Sequence, residues 1–107
     1  MAKQQPYSLV YDPRLFDHLQ EVESKLQRLI EKTMKEQLTF EPNRETRNRK
    51  PMRVPSPFNA GWELRFGPDN RFRVLYDIDE GQHVVNVLAF GIKDRNRLLI
   101  GGKEVSS

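Results

Sequence analysis

Apolar positions recur along this chain with two different periods, and the change of period divides it. Leu15, Leu19, Val22, Leu26, Leu29 and Met34 fall three, four or five residues apart, with Phe16 and Ile30 flanking them. That spacing puts one apolar stripe on a long helix. Asp12-Pro13 precedes it, an acceptor for free helix N–H groups followed by a residue suited to the first turn. Glu21–Lys25 and Glu31–Lys35 add favourable pairs one turn apart on the wet side. The helix is expected to end or bend between Glu31 and Lys35, with a short second piece reaching Leu38. Before it, residues 7–11 (YSLVY) alternate and are rich in strand formers, which predicts a first strand.

Beyond residue 61 the period is two. Strands are expected at about 62–67, 72–79 and 83–91, joined by turns at 67–70 (GPDN) and 80–82 (EGQ). In the first two, Trp62, Leu64, Phe66, Val74 and Tyr76 share one face, while Glu63, Arg65, Arg73 and Asp77 share the other. The third strand is apolar on both faces, as a central strand would be. The order strand, helix or helices, then a three-strand antiparallel meander predicts an α+β domain with helices packed on one sheet face. Residues 41–61 hold four prolines and three asparagines and are expected to form a basic loop, long for a compact domain. Residues 101–107 are expected to be a loose tail, with Gly101-Gly102 either a turn or part of that tail.

With 107 residues the chain is the size of one domain. It has no cysteine, which excludes disulfides and thiolate metal sites. His18 and His83 are far apart and supply no zinc ligand set; His18 is expected to be exposed on its helix, and His83 to sit at a strand edge. No apolar run approaches the roughly 18 residues of a membrane span, and the opening residues show no secretion signal. The expectation is a cytoplasmic protein without membrane contact. The net charge is only +3, but residues 41–75 carry eight basic and four acidic side chains. Arg44, Arg47, Arg49, Arg53, Arg65, Arg71 and Arg73 concentrate there. Such a field attracts nucleic acid or an acidic protein.

Four motifs in this order resemble the RelE/ParE superfamily of type II toxin–antitoxin toxins: Arg49-Lys50-Pro51-Met52, then WELRF, FRVLYDID and VLAFGIKDRNR. The resemblance runs from Tyr7 to about Leu99. It implies a RelE-like fold and a toxin that a cognate antitoxin neutralises. RelE-like members are ribosome-dependent endoribonucleases that cut mRNA and inhibit translation; ParE-like members bind DNA gyrase instead. By resemblance, Arg73 matches the arginine of the Arg-Val-x-Tyr strand, Arg65 a basic residue of the preceding strand, and Lys93 the basic residue after the glycine.

Cleavage of RNA by its own 2′-hydroxyl needs a base, cations for the pentacovalent phosphate and an acid for the leaving oxygen, with no metal or cofactor. Arg65, Arg73 and Lys93 are the expected phosphate grip. Glu63 is the carboxylate available as base. Arg47, Arg49, Lys50, Arg53 and Arg95 are expected RNA-binding cations. Three departures weigh on the chemistry. Glu63 stands where nucleases of the family often have a second lysine, Lys50 where others have a carboxylate, and the C-terminal Tyr or His-Tyr near residues 98–99 is missing. Three alternatives stay open: a non-catalytic gyrase-binding toxin, a basic nucleic-acid-binding domain, and plain cross-strand ion pairs from Arg65 and Arg73 to Glu63 and Asp77.

Overall fold

The computed structural model describes residues 5–105. Nine elements follow one another: β1 (Ser8–Tyr11), α1 (Arg14–Leu19), α2 (Ser24–Leu38), β2 (Arg49–Pro51), β3 (Trp62–Phe66), β4 (Phe72–Asp79), β5 (Val84–Asp94), β6 (Arg97–Ile100) and β7 (Lys103–Val105). The strands form one seven-stranded sheet in the order β2-β3-β4-β5-β6-β7, with β1 joined in parallel to the first half of β5 and every other pair antiparallel. The expected meander is its centre.

Asp12 starts α1 as anticipated: its Oδ1 accepts the Arg14 N–H at 2.9 Å and its carboxylate also holds the Arg14 guanidinium. The helical run then breaks at 20–23, not between Glu31 and Lys35. Neither glycine nor proline marks the spot. The Gln27 amide reaches back and donates to Leu19 O and Val22 O at 2.8 and 2.7 Å, so the carbonyls freed at the end of α1 are satisfied. Val22 is buried in the break.

The helical stripe meets the expected sheet face. Leu15, Ile30, Met34 and Leu38 pack with Leu64, Phe66, Val74, Tyr76, Val85, Val87 and Phe90, and Trp62 covers their edge. Tyr76 is fully buried yet polar at its tip, and its hydroxyl donates to Pro42 O at 2.7 Å. Burial raises that phenol's pKa well above its usual value, because the anion would lose its hydration.

Two stretches are more ordered than expected. Within 41–61, Arg49–Pro51 pairs with Trp62–Leu64 as an edge strand, and Pro57–Asn59 forms a 3₁₀ turn. Residues 101–105, expected as tail, turn at Gly101-Gly102 and return as β7 against β6; Ser106 and Ser107 lie outside the described residues. β5 likewise runs on through Asp94 into a tight turn with β6. The second sheet face is therefore partly covered: Ala60, Leu75, Ala89 and Ile100 form a small core there with Phe58, Leu98 and Val105.

β5 changes neighbour along its length, from β1 at Val84–Val87 to β6 at Gly91–Asp94. In the gap the Phe90 N–H finds no strand; His18 Nδ1 of α1 accepts it at 3.2 Å. His18 is thus half-buried rather than exposed. No helix among the described residues is long and apolar enough to cross a membrane.

Candidate phosphate-binding cleft

The open half of the second face is set by strand register. Arg65 on β3 lies directly opposite Arg73 on β4, and Arg73 lies opposite Gly91 on β5. Lys93 shares the face of Gly91, two residues on, and its own N–H donates to Arg71 O at 2.8 Å. Gly91 has to be glycine. A Cβ there would stand 2.8 Å from both Leu99 O and Ile100 Cγ1, where the β5–β6 hairpin folds close. Arg65, Arg73, Lys93 and Glu63 therefore line one cleft of about 240 Å³, closed by Met52, Pro57, Asn96, Leu98 and Val105. All four expected catalytic residues are brought together.

Glu63 sits between the two arginines. Its Oε1 is 2.6 Å from Arg65 Nε and 3.6 Å from Arg73 Nε. The Arg73 side chain is only 11% exposed and also donates to the carbonyls of Asn70 and Phe72. Burial lowers the Arg73 pKa, opposed by the Glu63 charge and reinforced by Arg65. A cation so poor in water gains more from an arriving anion than a solvated one does. Lys93 has no carboxylate partner among the described residues. Asp77 shares the sheet face but lies beyond Leu75, and no ion pair joins it to either arginine. The cross-strand pairing expected of Glu63 is present, while that of Asp77 is not.

The expected RNA-binding cations divide. Lys50 and Arg53 edge a neighbouring cleft of about 390 Å³ that also contacts Glu63 and Arg65. Arg47 is exposed and lines neither cleft. Arg95 sits in the β5–β6 turn with positive φ, and its neighbour Asn96 supplies the cleft wall instead. Arg49 must be withdrawn from the set. Its side chain is buried under the end of α2, donating to Gln37 O at 2.7 Å, Gln37 Oε1 at 3.0 Å and Arg44 O at 3.0 Å, with Glu41 at 3.8 Å. No guanidinium edge is left for a ligand.

Among the described residues, no cluster of three His, Asp or Glu side chains is placed to hold a metal ion. No Tyr or His lines the cleft. Sequence reading missed the wall residues Asn96, Leu98 and Val105. The Gly101-Gly102 pair after the short apolar run Leu98-Leu99-Ile100 was the available turn signal for the last of them.

No family model matches the sequence, and no curated protein matches it. Among solved structures, the chain is similar to one chain of the toxin–antitoxin complex RelBE2 from Mycobacterium tuberculosis. The TM-score is 0.69 at 22% identity, covering 87% of this chain and 98% of that one. The architecture expected from the sequence motifs is therefore present: this is a RelE-like α+β fold with a cationic cleft on its open sheet face.

Proposed function

We propose that this chain is the toxin of a type II toxin–antitoxin pair, acting in the cytoplasm on mRNA held by the ribosome. The observation that carries the reading is the convergence of Arg65, Arg73 and Lys93 on one cleft of a RelE-like sheet. The similar chain from RelBE2 belongs to a toxin–antitoxin complex, which supports a cognate antitoxin as partner. Its acidic or apolar segment would cover this face.

The chemistry is metal-free cleavage of RNA. Arg73 and Lys93 hold the scissile phosphate and stabilise the charge that grows on its oxygens. Glu63, beside them, accepts the 2′-hydroxyl proton as that oxygen attacks phosphorus. The bond to the 5′-oxygen breaks, and the Lys93 ammonium, which no carboxylate among the described residues engages, protonates the leaving oxygen. Arg65 positions Glu63 through their 2.6 Å contact.

One observation favours a second reading. The cleft has no Tyr or His, so a toxin that binds DNA gyrase without cutting RNA fits the same surface. Induced expression in a bacterial host separates the two, with pulse labelling of protein and DNA synthesis and mapping of mRNA ends. Translation arrest with new mRNA ends supports the ribonuclease. Arrest of DNA synthesis with intact mRNA replaces it by the gyrase reading, and unimpaired growth refutes both.

A further inference from the structure

The cleft that holds Arg73 and Lys93 does not stop at Arg65. The larger cleft beyond it, about 390 Å³, is walled by Pro51, Met52, Pro55 and Pro57 and edged by Lys50 and Arg53. The two clefts have Met52, Pro57, Glu63 and Arg65 in common. The Glu63–Arg65 pair is thus a saddle between two depressions, with cations on both sides of it.

The wall of the second cleft is built by its own hydrogen bonds. Met52 N–H donates to Gly61 O at 2.9 Å, and Ser56 Oγ to Ala60 O at 2.6 Å; the N–H groups of Asn59 and Ala60 close onto the carbonyls of Ser56 and Pro57. Three prolines, at 51, 55 and 57, fix φ along the wall. The cations at its rim are loosely held. Arg53 is exposed with no hydrogen-bond or ion-pair partner among the described residues. Lys50 reaches only Glu45, at 3.6 Å.

We propose that this second cleft is a nucleotide subsite for single-stranded RNA. It takes the base next to the phosphate held by Arg73 and Lys93, and Lys50 and Arg53 meet the following phosphate. The inference rests on the reading that the first cleft engages RNA. A volume near 390 Å³ is within the ~300–1,000 Å³ range of small-molecule sites. The flat faces of a base suit proline and methionine walls, and its polar edge meets the Glu63 acceptor and the Arg65 donors. A base within a duplex has both faces stacked and its Watson–Crick edge paired, so the ligand is a single strand.

The test is fluorescence anisotropy with end-labelled 2′-O-methyl RNAs of one to six nucleotides, which lack the attacking hydroxyl, at several salt concentrations. The full chain is compared with Lys50→Ala/Arg53→Ala and Arg73→Ala/Lys93→Ala variants, each checked for an unchanged thermal melt. Affinity should rise steeply from one nucleotide to two or three. The Lys50/Arg53 variant should lose that rise and lower the salt slope by about 0.7 per lost phosphate contact, while binding the single nucleotide normally. The Arg73/Lys93 variant should weaken every length. If only the latter weakens binding, the subsite is refuted and RNA engagement stands. If the unaltered chain binds no RNA, both fall. Hexaglutamate competing as well as RNA, with the same variant dependence, would overturn the subsite in favour of an acidic protein segment.

Discussion

Arg65 and Arg73 face each other directly across β3 and β4, two cations in register where strand pairs usually set opposite charges. Glu63, one alternate position along β3 from Arg65, makes the arrangement tolerable by contacting both. The sheet thus holds two guanidinium groups around one carboxylate.

Glu63→Gln should therefore have opposite effects on binding and on turnover. Removing the carboxylate leaves Arg73, 11% exposed, without its anion, and should cost about 1–3 kcal/mol of stability. It also frees both arginines, so affinity for uncleavable RNA should rise. Cleavage should fall, because the proposed mechanism then lacks its base. Anisotropy and turnover measured on the same preparation check this; unchanged turnover would remove Glu63 from the chemistry.

Arg73→Ala and Lys93→Ala should each reduce toxicity and any RNA cleavage by about 100-fold or more, the usual cost of losing a donor aimed at transition-state charge. Arg65→Ala should cost less, since its side chain is 40% exposed and its part is to hold Glu63. Growth after induction, alongside soluble yield and melting temperature, is the readout. Full toxicity in both of the first two variants would exclude the cleft as the site.

The cleft was largely legible because its logic is local. Alternation along 62–79 places Glu63, Arg65 and Arg73 on one face without reference to the rest of the chain, and Lys93 follows from extending the third strand. What escaped depends on distant partners. The break at 20–23 is held by a side chain from the next helix, Gln27, and carries no glycine or proline. Arg49 looks in sequence like any other cation of a basic loop; only the carbonyls of Gln37 and Arg44, brought over it by the fold, make it internal. The Gly101-Gly102 pair left a turn or a tail open, and only the pairing of β7 with β6 decides for the turn, in which both glycines take positive φ.

Arg49 gives the sharpest contrast with the surface cations. Arg49→Ala leaves Gln37 O and Arg44 O unpaired and should destabilise the fold by about 2–4 kcal/mol. Arg49→Lys should not restore it, because one ammonium cannot span acceptors that a planar fork reaches. Neither should change the salt slope of RNA binding at a temperature where the variant is folded. Urea titration and the salt series together decide it; a lowered slope would return Arg49 to the binding surface.

His18 makes stability depend on pH. Its Nδ1 accepts the Phe90 N–H, so the bonded ring has no proton on that nitrogen. Desolvation lowers its pKa and Arg14 adds to this, while Asp17 and Asp12 pull the other way; the net shift is downward. Between the folded value and the ordinary imidazole value of about 6.5, the unfolded chain binds more protons than the folded one. Stability contributed here is therefore complete above pH ~6.5 and is lost as pH falls through the folded value. Asp12, held at about 2 by the hydrogen bonds from Arg14, loses its own contribution only at far lower pH and leaves the window near 6 to His18. Melting temperature should decline as pH is lowered from 7 to 5, and the His18→Asn variant, whose amide oxygen can accept the same N–H without titrating, should lose that component of the decline. An equal decline in both proteins would assign it to other groups and leave His18 a packing residue alone.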